Sequence, residues 1–217
     1  MGKTSKIKFY SPLEERINIL SHATGLLFSI VAMVMLLLRA GQSGEVLQII
    51  SAAVFGVSLI ALYGASTAYH SATNADLRAR LRVMDHATIY ILIAGTYTPF
   101  SLITLDGTAG WAIFAASWSM AVCGVALKLF FTGRFDVLST MMYVFMGWII
   151  IFAYEPLVAR IEPAGLYWLV AGGLSYTIGA IIYSIKKIPL NHAIFHLFVL
   201  GGSICHFVAV YFYVLTG

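Results

Sequence analysis

The chain has 217 residues, of which 60% are hydrophobic and only 10% are charged. A soluble domain carries about 25% charged residues, so the composition excludes an ordinary soluble protein and predicts an integral membrane protein. The net charge of +4 does not indicate a nucleic-acid partner, because the sequence has no basic tail with interleaved aromatic residues.

Seven apolar runs are long enough to cross a bilayer as α-helices, which need about 20 residues each. The bilayer core contains no water to hydrogen-bond the backbone, so each run must satisfy its own backbone hydrogen bonds, and this favours helices. We predict spans at 17–38, 46–70, 83–105, 109–131, 137–154, 164–185 and 191–214. We further predict a loop over 71–82, a kink at Pro99 and a tight turn at Asp106-Gly107.

The basic residues predict the orientation of this all-α, seven-helix bundle. Eleven of the 13 Lys and Arg residues fall on the N-terminal side of the membrane, and only Arg39 and Arg160 fall on the other side. Because basic residues collect in the cytoplasm, we expect a cytoplasmic N-terminus and an outside C-terminus. We expect one membrane domain over 1–217, with a short cytoplasmic segment at 1–16, and place it in a bacterial inner membrane.

This topology predicts a layer of polar side chains near the cytoplasmic surface. The starts of spans one, three and seven and the end of span two all face that side, and five of the six histidines lie there. The polar residues of this layer are Asn18, Ser21, His22, Ser66, His70, Asp85, His86, His192 and His196. Ionisable groups within spans are costly and usually mark a functional site.

Two histidines at positions i and i+4, His192 and His196, share one face of span seven. Such a pair can bind one metal ion, most often Zn²⁺, and His70 at the end of span two can complete a triad. Three imidazoles and a water are typical of a catalytic zinc site, whereas four protein ligands are typical of a structural one. The alternative for these three histidines is interhelical hydrogen bonding without a metal.

The neighbouring polar residues have candidate roles in hydrolysis. Asp85 lies at a matching depth and can act as the base toward a zinc-bound water. Ser66, one turn before His70, can orient the water or a substrate carbonyl. The alternatives are an ion pair of Asp85 with Arg82 or capping of span three, and close helix packing at Ser66.

For the remaining polar residues we predict supporting or structural roles. His22 and Asn18 are expected to support the metal ligands through hydrogen bonds. His86 points about 100° away from Asp85 on its helix, and we predict no site role for it. His206 lies too far along span seven for the same metal, so a buried hydrogen bond is expected. Arg78, Arg80 and Arg82 are interpreted as a topology signal with headgroup contacts.

Three motifs together resemble one known family. They are Glu15-x2-Asn18-x3-His22, Ser66-x3-His70 followed by Asp85, and His192-x3-His196. With seven spans, the chain resembles the progestin and adiponectin receptor family, in its bacterial hemolysin III branch. That resemblance implies zinc ligands at His70, His192 and His196, with Asp85 holding a zinc-bound water. The family is similar in this respect to membrane alkaline ceramidases, which implies hydrolysis of a lipid amide.

Three hypotheses for the function follow. The first is a zinc-dependent hydrolase of a lipid amide or ester with a role in membrane lipid homeostasis. The second is a non-catalytic sensor or regulator of membrane state, in which zinc is structural. The third, a transporter or haemolysin-like channel, is ranked last because the chain has no internal duplication and no polar series through the membrane midplane.

Overall fold

The computed structural model describes residues 9–132 and 136–215. Within these residues seven helices are long and apolar enough to cross a membrane, which confirms the predicted seven-span bundle. They are α1 (Pro12–Ser43), α2 (Val46–Ser71), α3 (Ala75–Leu105), α4 (Gly107–Phe131), α5 (Val137–Val158), α6 (Pro163–Ser184) and α7 (Asn191–Val214). The orientation in the membrane stays a prediction; Lys3, Lys6, Lys8 and Arg134, which contribute to it, lie outside the described residues.

The first helix begins before the membrane, at a well-defined cap. The Ser11 side chain accepts a hydrogen bond from the backbone N–H of Glu14, and Pro12 occupies the first turn. Gly44, in the left-handed conformation with φ 70°, ends the helix. The polar first turn therefore extends α1 beyond the apolar run and carries Glu15 toward the end of α2.

The third helix begins earlier than the sequence analysis predicts. The side chain of Asn74 caps it by accepting from the N–H of Leu77, so most of the predicted 71–82 loop is helical. The loop prediction was wrong there because hydropathy detects the membrane-embedded part of a helix and not a polar extension of it. Asp85 consequently lies well inside α3, and the capping alternative for this residue is wrong.

The end of α3 and the start of α4 follow their sequence signals. The α-helical part of α3 ends at Pro99, and a π-helical segment, Phe100–Leu105, continues it. Asp106 and Gly107 both have positive φ, of 42° and 48°, and make the predicted tight turn into α4. The side chain of Arg160 donates to the Asp106 carboxylate at 2.6 Å and ties this turn to the end of α5.

The fifth span is irregular, with an α-helical segment to Gly147, a 3₁₀ segment at Ile149–Ala153 and a short α-helical segment at Tyr154–Val158. The other helices form an open series in which α4 packs on α3, α3 on α2, α2 on α1, α1 on α7 and α7 on α6. The irregular α5 packs loosely against α3, α4 and α6. A cavity lies in the space that α5 leaves unfilled.

Candidate metal centre

The three histidines proposed as ligands meet in space. His192 Nε2 lies 3.1 Å from His70 Nε2 and 3.1 Å from His196 Nε2. One nitrogen from each residue lies within 4.8 Å of the others, and all three side chains are buried. Among the described residues this is the one group of three or more potential ligands close enough to hold a metal ion.

Helix ends and interhelical hydrogen bonds position the three rings. His70 lies in the last turn of α2, while His192 and His196 lie in the first turns of α7. Deeper in the membrane, the Tyr63 hydroxyl of α2 donates to the Ser203 hydroxyl of α7 at 2.8 Å. The side chain of Asn191 donates to the Tyr183 carbonyl at 2.8 Å and fixes the start of α7 against α6.

An acidic residue sets the tautomer of His70. Its Nδ1 lies 2.7 Å from Glu15 Oε2, so Nδ1–H donates to the carboxylate and the Nε2 lone pair faces the other histidines. The Asn18 amide lies 3.3 Å from the same Nδ1. A carboxylate that holds the second nitrogen of a histidine is the usual support of a metal ligand.

An arginine completes this support and corrects one prediction. Arg78 is fully buried; it pairs with the Glu15 carboxylate and donates to the backbone carbonyls of Tyr69, His70 and Ala72. The interpretation of Arg78 as a headgroup contact was therefore wrong.

Sequence reasoning missed Glu15 as a support for His70. Glu15 lies three residues before Asn18 and seven residues before His22, so all three share one face of α1. The cluster of three arginines gave no signal that one of them is buried.

His22 supports the cluster in a different way from the one predicted. Its ring stacks on His196 at 3.5 Å between centroids with an interplanar angle of 10°, and contacts Tyr63 edge-on. Both ring nitrogens are buried, and neither has a hydrogen-bond partner among the described residues. The predicted outward hydrogen bond is therefore replaced by stacking.

Asp85 lies beside the histidines, at the wall of the cavity that His22, His192 and His196 also line. The Ser66 hydroxyl is fully buried next to the Asp85 carboxylate, without a hydrogen bond of normal geometry to any described residue. His86, which helix geometry places about 100° from Asp85, nevertheless has its Nε2 4.0 Å from Asp85 Oδ2, and it lines the same cavity.

Tyr10, two residues before α1, covers the histidine cluster. The Tyr10 ring stacks on His192 at 4.6 Å, and its backbone N–H donates to Glu15 Oε1 at 3.2 Å. Burial raises the pKa of the Tyr10 phenol well above its ordinary value. The phenol therefore stays neutral and does not place a charge next to the histidines.

The arrangement of nitrogens fits a cation better than it fits hydrogen bonds. His192 Nε2 faces two other Nε2 atoms, but a ring nitrogen offers only one N–H or one lone pair in its plane. One of the two contacts is therefore unfavourable without a cation. Zinc–nitrogen bonds of about 2.0–2.1 Å in tetrahedral geometry separate nitrogens by about 3.3 Å, close to the spacing seen here.

A cavity of about 610 Å³ extends from these residues through the bundle. Its lining on α6 runs from Tyr183 to Leu166, about 25 Å along the helix axis. Two of its lining residues, Ile151 on α5 and Tyr167 on α6, are 58% and 73% exposed on the outer surface of the bundle. The wall of the cavity therefore includes side chains of α5 and α6 that are exposed on the surface of the bundle.

The fold and this centre define a multi-pass, seven-helix membrane protein in which three buried histidines lie at the end of an apolar cavity. The family model for haemolysin-III related proteins matches residues 10–207, and the chain belongs to that family. The hemolysin III resemblance predicted from the three motifs is therefore confirmed.

Relatives from bacteria and animals share most of the chain. Hemolysin-3 of Bacillus cereus is 45% identical over 202 residues, which cover 93% of this chain and 92% of the relative. The hemolysin-3 homolog of Bacillus subtilis strain 168 is 46% identical over 200 residues, 92% of this chain and 94% of the relative. The human monocyte to macrophage differentiation factor is 30% identical over 177 residues, 76% of this chain and 70% of that protein.

Proposed function

We propose that this protein is a zinc-dependent hydrolase that cleaves an amide or ester bond of a membrane lipid. It acts in the bacterial inner membrane, in lipid homeostasis. One observation supports the proposal: two of the three converging imidazoles, His192 and His196, share with Asp85 the wall of a cavity that also includes exposed apolar side chains of α5 and α6, where we place the entrance for lipid. A lipid can thus present its polar bond to the histidine cluster while its apolar chain stays in the cavity.

The protein groups divide the chemistry among them. His70, His192 and His196 would hold the metal through their Nε2 atoms, and Glu15 keeps His70 in the required tautomer. Zinc in such a site supplies a Lewis acid that polarises a carbonyl and acidifies water. Asp85 accepts a proton from the attacking water and returns it to the leaving amine or alcohol. The buried Ser66 hydroxyl orients the reacting group beside it.

Asp85→Asn tests this proposal, because it removes the proton acceptor without removing a metal ligand. General acid–base groups typically contribute 10²–10⁴-fold, so turnover of lipid amides or esters should fall by about that factor. Zinc per protein, measured by elemental analysis, should be unchanged. A zinc-loaded wild-type protein that cleaves no acyl amide or ester class would contradict the proposal.

A second candidate is a non-catalytic sensor of membrane state with a structural zinc. The observation that favours it is the enclosure of the cluster by Tyr10, Glu15 and Arg78, together with the bridging of α2 and α7 by the histidines. In this case Asp85→Asn leaves both zinc and signalling intact. Loss of zinc in His196→Ala with signalling retained would exclude the sensor as stated.

A further inference from the structure

A second polar region lies in the wall of the same cavity, on helices that carry none of the three proposed metal ligands. Its members come from α3, α4 and α5, and we name them the α3–α5 polar wall: His86, Lys128, Ser139, Thr140 and Tyr143. Asp85 lines the cavity beside them and also adjoins Ser66 of α2. Asp85 therefore joins this wall to the candidate metal centre.

His86 brings an imidazole to the cavity at this level. Its Nε2 lies 4.0 Å from Asp85 Oδ2, and the two side chains keep 14% and 11% of their surface accessible. Both residues line the cavity, so their polar edges lie within reach of a bound molecule. The Tyr143 hydroxyl donates to the His86 carbonyl at 2.9 Å, which fixes α5 against α3 at this position.

Lys128 adds a positive charge to the wall. The residue is only 2% exposed, and it lines the cavity. Its charge acts on the His86 ring more strongly than that of Arg82, which lies on the same helix as His86. Within the described lining of the cavity, Lys128 is the one lysine or arginine. An ammonium enclosed in protein attracts an anion strongly, because little water screens its charge.

Two hydroxyl groups complete the wall. Ser139 and Thr140 lie in the first turn of α5, which begins at Val137, and both line the cavity. Lys128 lies in the last turn of α4. The predicted orientation places these two helix ends at the cytoplasmic surface, where lipid head groups lie. The wall thus combines a cation, an imidazole and hydroxyl groups at the depth of a lipid head group.

We propose that the α3–α5 polar wall binds a phosphate group on the part of the lipid that leaves when the acyl bond is cleaved. This inference rests on the proposed function, in which the acyl carbonyl lies at the three histidines and Asp85. The acyl chain then occupies the apolar part of the cavity, and the phosphate lies beside Lys128. The substrate class is an acyl ester or amide whose alcohol or amine carries a phosphate.

The chemistry of the wall selects a phosphate over other head groups. Phosphate oxygens accept hydrogen bonds from an ammonium, an imidazole N–H and a hydroxyl at the same time. A head group that ends in an ammonium would bring a second positive charge next to Lys128, which is unfavourable. An uncharged polyol forms hydrogen bonds there but contributes no opposite charge, so it binds less tightly.

The test measures binding with ether lipids, which a hydrolase of esters and amides cannot cleave. Purified zinc-loaded protein in an uncharged detergent is titrated with hexadecylglycerol phosphate and with hexadecylglycerol. Each lipid displaces an uncharged, pyrene-labelled long-chain alcohol, and the loss of bound fluorescence gives its affinity. Charge-assisted hydrogen bonds to the phosphate predict about tenfold tighter binding of hexadecylglycerol phosphate.

Two lysine variants show whether the preference arises in the cavity. Lys128→Met should bind the two lipids equally, with the affinity for hexadecylglycerol and the zinc content unchanged. Lys187→Met removes an exposed lysine outside the cavity lining and should keep the tenfold preference. If wild-type protein binds both lipids equally, or if Lys128→Met keeps the preference, the subsite is refuted.

A milder variant guards against loss of folding in Lys128→Met. Thr140→Val keeps nearly the same volume and removes one hydroxyl, so the preference for the phosphate should fall a few-fold. If Lys128→Met does not fold, this variant decides, and an undiminished preference in Thr140→Val refutes the subsite.

A further arm identifies the source of the phosphate. Glycerol phosphate, which has no alkyl chain, should compete only weakly with hexadecylglycerol phosphate. Equal competition by the two compounds would refute the lipid and assign the wall to a soluble phosphate.

The outcomes also separate this inference from the proposed hydrolase. A phosphate preference in a protein that hydrolyses no acyl ester or amide would support the subsite and contradict the enzyme. Hydrolysis by a protein without a phosphate preference would support the enzyme and refute the subsite.

Discussion

The helices α3 and α5 are both long and apolar enough to span a membrane, but they have opposite roles in the bundle. In the apolar 18-residue window of each helix, 78% of α3 is buried but only 22% of α5. The helix α5 also changes helix type twice. The packed side of the molecule, where α1, α2, α3 and α7 contact one another, carries the three histidines of the candidate metal centre, Glu15 and Asp85. The loosely packed side, where α5 meets α6, carries the exposed part of the cavity wall. In the proposed function, close packing of α1, α2, α3 and α7 holds the reactive groups, and the incomplete packing of α5 provides access to them.

The largest effect is expected when one of the three proposed metal ligands, on the packed side of the molecule, is removed. His196→Ala should reduce bound zinc to background and abolish turnover, because two imidazoles hold zinc far more weakly than three. Elemental analysis of the purified variant measures the first effect and a lipid hydrolysis assay measures the second. His86→Ala is the control and should keep full zinc. Retention of stoichiometric zinc by His196→Ala would refute the three-histidine centre.

The next effect concerns a residue that supports the centre without binding the metal. Glu15→Gln removes the charge that holds His70 Nδ1–H and pairs with Arg78. Loss of such a partner typically costs 10–100-fold in metal affinity, which competition with a zinc chelator measures. Glu14→Gln, in the same turn, is the matched control. Equal zinc affinity in both variants would mean that Glu15 has no part in metal binding.

On the loosely packed side we expect a smaller effect that depends on the substrate. Val170→Trp narrows the opening, because Val170 lines the cavity and is 39% exposed. It should reduce turnover of long-chain lipids about tenfold by hindering entry and leave short soluble esters and zinc content unaffected. Ile178→Trp, exposed on α6 but outside the cavity lining, is the control. An equal loss for both substrate lengths would place the entrance elsewhere.

The smallest effect is expected at the covering residue. Tyr10→Ala uncovers one face of His192 and should speed removal of zinc by a chelator a few-fold, without changing zinc content at equilibrium. Tyr10→Phe keeps the stacking and should behave like wild type, because the phenol is neutral. Stopped-flow measurements with a chromogenic chelator distinguish the two variants. Identical release rates in all three proteins would show that Tyr10 does not shield the metal.

The sequence predicted the spans and the convergence of His70, His192 and His196, because hydropathy and topology together fix the depth of a residue. It did not predict the polar start of α3, which lies beyond the apolar run. It also missed Glu15 and Arg78 as a support, because their contact joins residues 63 apart through long side chains. The cavity could not be predicted either, since it depends on how incompletely the irregular α5 fills the space beside α3 and α6.

The entrance proposed between α5 and α6 has a consequence for how a lipid substrate would reach the histidine cluster. Under the proposed function, lipids enter from the plane of the bilayer, where their density per unit area matters and their concentration in water does not. Occupancy should therefore follow the mole fraction of the lipid in the membrane. Diluting it with inert phospholipid, at a constant total amount, should lower the reaction rate.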